Sequence, residues 1–202
     1  MTYVFAALLL TQTCWAAGPA PGKADPAKDL LSFTIDPDHS SVGFRIRHLV
    51  GRVPGKFTRF SGSFSGKRSD PGTWKTEAKI DAGSIDTGVV KRDEHLRSAD
   101  FLDTAKCPEI SFVSKKAFGA AKTTAKLKGE LTLHCVTKPV VLDLESDGTA
   151  KDPRGDLRAG VTARAKINRK DYGIVFNQVL DTGGTLLGDE VEITIDVEGV
   201  AR

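Results

Sequence analysis

Apolar and polar residues alternate strictly through most of this chain, and a period of two is the mark of a strand with one dry face and one wet face. Val42, Phe44, Ile46, His48 and Val50 fall on one side of such a strand, with Ser41, Gly43, Arg45 and Arg47 on the other. Trp74, Thr76, Ala78 and Ile80 alternate with Lys75, Glu77 and Lys79, and Ile110 and Phe112 with Ser111 and Val113. The same pattern runs through 127–133, 140–144, 161–167 and 191–197. Sheets with one wet face are antiparallel. About eight amphipathic strands in one domain suit a closed barrel or a sandwich, and a barrel of that size can hold one small ligand.

Only residues 90–98 look helical, with Asp93 and Arg97 four apart on one face. There is no βαβ rhythm and no internal repeat. Gly119 to Lys122 reads as a hairpin loop, Asp147-Gly148 and Pro153-Arg154-Gly155 as breaks in the next connection, and Thr182-Gly183-Gly184 as the break before the last strand. Gly173 reads as a position that needs an unusual backbone angle.

The beginning of the chain differs. Val4 to Leu10 is apolar and is followed by small residues through Ala17, with no charge before Lys23. This reads as a secretory signal over 1–20, although its basic leading region is missing. Residues 21–30, within a stretch rich in Pro, Gly and Ala, read as a linker, and 31–202 as the barrel domain. Export implies a periplasmic or secreted protein, in a compartment that permits disulfides. With a net charge of +3 and mixed signs, the chain carries no footprint for nucleic acid.

Catalytic signatures are sparse. His39, His48, His95 and His134, with Cys107 and Cys135, show no close metal spacing. His134 and Cys135, read as strand neighbours, face opposite ways. There is no GxSxG elbow and no glycine-rich nucleotide loop. Asp93, Glu94, His95 and Arg97 cluster with Asp86 and Asp100. They could supply a hydrolase-like acid–base site on a lipid or small metabolite, built from His95 with Asp93 or Asp171. The favoured reading is structural: capping and ion pairing for a segment that crosses one end of a barrel. No catalytic residue, metal or cofactor is assigned. The phenylalanines at 44, 57, 60, 64, 101, 112 and 176 could fill a dry core or line a cavity, and the pattern alone leaves both open.

The chain resembles the YceI-like family of exported, lipocalin-like barrels. The resemblance is carried by Ile35-Asp36-Pro37-Asp38-His39-Ser40-Ser41-Val42, Ile80-Asp81-Ala82-Gly83-Ser84-Ile85-Asp86-Thr87, the run from Arg92 to Asp103, Pro108 and Phe112. It continues through Gly129 to His134, Val136-Thr137-Lys138-Pro139-Val140, Asn168-Arg169-Lys170-Asp171-Tyr172-Gly173 and Gly188-Asp189-Glu190-Val191. The resemblance implies an extended eight-stranded antiparallel β-barrel with one short helix and a central apolar channel. It also implies binding of a polyprenyl lipid, an isoprenoid quinone or another long-chain lipid for transport, storage or sequestration. It supplies no catalytic residues. Alternation and motif position together make Phe44, Ile46, Phe60, Phe64, Ile80, Phe112, Leu133, Leu142 and Phe176 the expected lining. Leu96 and Phe101 are expected to close one end, and His95, Arg97, Asn168 and Arg169 are the polar candidates at the mouth. A homodimer through an exposed strand or face is left open.

Two residues depart from the family pattern: Cys135 stands where glycine is usual, and Cys107 precedes Pro108. Counted outward from the loop at Gly119 to Thr123, the two face each other across a strand pair, which brings Cβ atoms within bridging reach. A Cys107–Cys135 disulfide is the expectation, with two free buried thiols as the alternative.

Overall fold

A computed structural model describes residues 30–67, 70–121, 123–181 and 183–202. The signal segment and all of the linker except its last residue lie outside the described residues. Leu30 already opens the first strand.

The elements are β1 (Leu30–Ile35), β2 (Ser41–His48), β3 (Gly51–Phe57), β4 (Phe60–Lys67), β5 (Asp70–Asp81), β6 (Ile85–Asp86), α1 (Val90–Arg97), β7 (Glu109–Phe118), β8 (Thr124–Leu133), β9 (Val136–Lys151), β10 (Leu157–Asn168) and β11 (Leu187–Ala201). Every pairing is antiparallel. From β4 the order runs through β5, β7, β8, β9, β10 and β11, and β1 closes the ring by pairing with both β11 and β4. β2 continues β1 along β11 after a 3₁₀ turn at Pro37–His39, and β3 lies against β2 as β4 lies against β1. Taking β1/β2 and β3/β4 as one bent stave each, the barrel is eight-stranded, with β6 as an extra strand on the edge of β3.

The alternating positions share the interior. Ala163 pairs with Ile195, Ala165 with Ile193 and Ile167 with Val191, and all six line the bore while Arg164, Lys166, Glu192 and Thr194 stand outside. Several interior rings lie over a glycine of a nearby strand. A Cβ on Gly55 would collide with Phe44, one on Gly129 with Phe112, one on Gly66 with Trp74 and one on Gly199 with Phe64. Glycine at these positions lets each ring lie flat on the wall and leaves the bore open.

Some sequence expectations are corrected. Val50 is not on the inner face: it is the fully exposed tip of the β2–β3 hairpin, where Leu49 has a φ of 51°. Asp147-Gly148 is not a turn but a bulge inside β9, where pairing steps from Gly160↔Gly148 to Val161↔Ser146. His134 and Cys135 are not strand neighbours. They form the two-residue turn between β8 and β9, with φ of 50° and 57°. Positive φ at both positions is the pattern of a type I′ hairpin, which explains why glycine is usual at the second.

Candidate ligand-binding cavity

The barrel encloses a cavity of about 510 Å³ with an almost wholly apolar wall. Phe44, Ile46, Phe60, Phe64, Ile80, Phe112, Leu133, Leu142 and Phe176 all contribute to it, with Leu96 and Phe101 at one end. The wall also takes in Trp74, Leu127, Leu131 and Val140. These alternate in the sequence just as the expected lining does, and only their place along the barrel axis was hidden.

One end of the bore is closed by segments outside the ring: 82–106, 173–181 and 183–186. Side-chain hydrogen bonds to the backbone and to one another brace them. Arg97 Nε donates to Gly83 O (2.7 Å) and its Nη2 to Ile85 O (2.8 Å). Arg92 donates to the hydroxyl and the carbonyl of Thr87. Asp93, which is buried, accepts from Thr87 N (2.9 Å) and Thr87 Oγ1 (2.6 Å). Arg169 is 2% exposed; its Nε donates to Gly188 O (2.9 Å) and its Nη1 to Ile174 O (2.7 Å) and Phe176 O (2.8 Å). Burial pushes its pKa down, opposed by the nearby Asp189 carboxylate. Arg169 therefore touches the cavity but spends its donors on Ile174, Phe176, Gly188 and Asp189.

Asn168 is exposed and outside the wall; its side-chain oxygen accepts from Lys170 N (3.0 Å) and caps the 3₁₀ turn Arg169–Tyr172. Gly173 ends that turn with a φ of 78°. Cys107 and Cys135 are bonded to one another with Cα atoms 5.4 Å apart, joining the stretch before β7 to the β8–β9 turn. His134, beside it in that turn, holds Tyr172 O at 2.9 Å through Nδ1.

The polar groups that reach the mouth are few. His95 forms a triangle of rings with Phe101 and Phe176, each centroid 5.0 Å from the next. Its Nε2 lies 2.8 Å from Asp100 Oδ2. Asp93 is committed to Thr87, and Asp171 is exposed on the 3₁₀ turn, so the expected His–Asp combinations do not converge on the cavity. Gln178, exposed and on the cavity wall, has no side-chain partner among the described residues. Sequence reasoning missed it because it lies in an irregular loop with no pattern to place it.

A separate polar cluster lies at the β1–β2 junction. Asp36, His39 and Glu198 bring potential ligand atoms within 4.8 Å of one another. Arg158 Nη1 already donates to Asp36 Oδ2 (2.8 Å) and Glu198 Oε1 (2.6 Å), and its Nε to Asp152 (3.0 Å). The positive charge at this cluster is thus a guanidinium. Arg158 and His39 hold the Asp36 carboxyl at about 2, below its ordinary 3.8. Arg158 itself is raised by its three carboxylates.

A closed antiparallel barrel around an apolar cavity, stoppered by side-chain-pinned loops, defines a lipocalin-like barrel capable of enclosing a hydrophobic ligand. The chain belongs to the YceI-like domain family, whose model matches residues 33–199. It is 39% identical over 171 residues to a UPF0312 protein of Staphylococcus aureus strain MSSA476, covering 84% of this chain and 97% of that one. Among solved structures it is similar to the Campylobacter jejuni YceI protein (29% identity, TM-score 0.67, covering 77% of this chain and 90% of that one). It shares its fold with Burkholderia cenocepacia BcnA (19% identity, TM-score 0.72, 81% and 98% covered). The fold is also that of a polyisoprenoid binding domain from Saccharophagus degradans (16% identity, TM-score 0.63, 85% and 99% covered).

Proposed function

We propose that this protein is an exported, non-catalytic carrier that encloses one isoprenoid chain, of the polyprenyl or quinone type, within the barrel. The observation that carries the reading is the continuous apolar wall of a cavity reaching from the ring triangle into the barrel. Burying a CH₂ gains roughly 0.8 kcal/mol, so a chain of twenty carbons gains on the order of 16 kcal/mol before entropic costs. Chain length alone can therefore supply affinity. The few mouth groups, His95 and Gln178, would meet the head group. The description of the Saccharophagus domain supports an isoprenoid as the cargo. The apolar opening of the sequence supports export, and the disulfide fits an oxidising compartment.

The test is to block the bore. Ala163 is buried in mid-barrel on β10. Ala163→Trp, checked for folding by thermal melting, is expected to reduce binding of a fluorescent polyprenyl probe by at least about tenfold, from the loss of buried chain length. Undiminished binding in a folded variant contradicts the reading.

A further inference from the structure

The barrel holds a second cavity, of about 310 Å³, in line with the first. Its wall resumes each strand where the first leaves off: Ala125 after Leu127 on β8, Ser146 after Leu144 on β9, Ala159 beyond Val161 on β10, and Phe33 beyond Ile35 on β1. Four side chains belong to both walls: Phe64, Trp74, Leu144 and Val161. Phe64 stacks on Phe33 with centroids 5.1 Å apart, and Trp74 Nε1 donates to Lys67 O (3.2 Å). The two rings lie over Gly199 and Gly66, where any Cβ would collide with them. The partition is thus a collar of side chains, and aromatic rings set its width.

Lengths can be assigned. On β11 the first cavity runs from Leu187 to Val197. At about 3.3 Å per residue and a tilt near 40°, that is roughly 25 Å along the axis. An extended chain advances about 1.2 Å per bond, so the first cavity takes roughly 20 bonds, or about five isoprene units. On β9 the second cavity adds the stretch from Leu144 to Thr149, about 10–12 Å, or about two more units.

We propose that the two cavities form one track, with the Phe64–Trp74 collar as its chain-length determinant. Chains up to about five units stay in the first cavity, and longer ones thread their tails through the collar into the second. This rests on the isoprenoid reading above. The second wall mixes Phe33, Ala125 and Ala159 with serine and threonine hydroxyls. Affinity therefore rises steeply to about five units, less steeply to about seven, and then levels.

The experiment uses the delipidated full chain and two polyprenyl alcohols, geranylgeraniol (shorter than the first cavity) and heptaprenol (reaching through the second), with dissociation constants from competition. Ala125→Leu with Ala159→Leu fills only the second cavity. It is expected to weaken heptaprenol by about tenfold or more while geranylgeraniol changes less than about twofold, which also reports an intact barrel. Trp74→Ala is expected to widen the collar and raise the preference for heptaprenol over geranylgeraniol. Equal loss of both alcohols in the double variant, or no change in either, overturns the track while leaving the isoprenoid reading in place. Failure of both alcohols to bind the unmodified protein overturns that reading itself.

Discussion

The wall and the mouth of this barrel are held together by different means. Around the wall the strands close the ring by backbone pairing, β1 to β4 on one side and to β11 on the other. At the mouth, the segments that fill the end have little backbone pairing beyond that of β6 with β3 and lean on side chains: Arg169 bonds the carbonyls of Ile174, Phe176 and Gly188, Arg97 and Asp93 brace 83–97 internally, and a disulfide ties Cys107 to the β8–β9 turn. A wall built from backbone ladders can tolerate many side-chain changes. A stopper built from side-chain bonds depends on particular residues, because each buried carbonyl left unpaired costs about 1–3 kcal/mol.

If that contrast holds, the largest effect belongs to the stopper. Arg169→Met removes the donors to three carbonyls, and denaturant unfolding should show a loss of about 3–5 kcal/mol. Removing the bridge comes next: it spans 28 residues, and chain entropy predicts a loss of about 3–4 kcal/mol in Cys107→Ser with Cys135→Ser. Replacing Cys135 by Gly instead should recover about 1 kcal/mol, because the turn needs positive φ there. In the wall, only the ring-bearing glycines should be sensitive. Gly129→Ala, which drives a methyl into Phe112 and Val113 O, should cost about 1–3 kcal/mol, while Lys128→Ala beside it on the wet face should stay within about 0.5 kcal/mol.

A small, pH-dependent effect is expected at the Asp36–Arg158 cluster. The depressed carboxyl contributes stability in full above its ordinary 3.8, and that contribution is lost as pH falls through about 2. Asp36→Asn should therefore cost about 1 kcal/mol or less near neutrality, with the difference from the unmodified protein shrinking in melts taken from pH 4 downward and vanishing only below about 2.

The wall was the legible part. Alternation placed the inner residues of β5 and β7–β11, since a strand with one buried face writes its period into the sequence. Of β4 only the lining residues Phe60 and Phe64 were expected and the strand itself was not, because Phe-Ser-Gly-Ser-Phe-Ser-Gly-Lys makes room for rings with glycine and shows little alternating hydrophobicity. β3 stayed hidden because Pro54 and two glycines interrupt any alternation along it. Proline is tolerated there because β3 has β6 on its outer side only at Lys56 and Phe57. At the mouth, the motif residues were visible but their roles were not. Arg169 and Asn168 sit side by side, yet one is buried against carbonyls and the other caps a turn in solvent. Such assignments depend on contacts between distant segments, which spacing along the chain does not record.

The central claim is that the cavity holds a lipid chain in the working protein. Its most direct measurement is organic extraction and mass spectrometry of the full chain, produced in its host and purified without detergent. The account predicts a polyprenyl or prenyl-quinone lipid in near-equimolar amount, lost in Ala163→Trp. Protein that carries no lipid and takes none up from a mixed polyprenyl and quinone extract contradicts it.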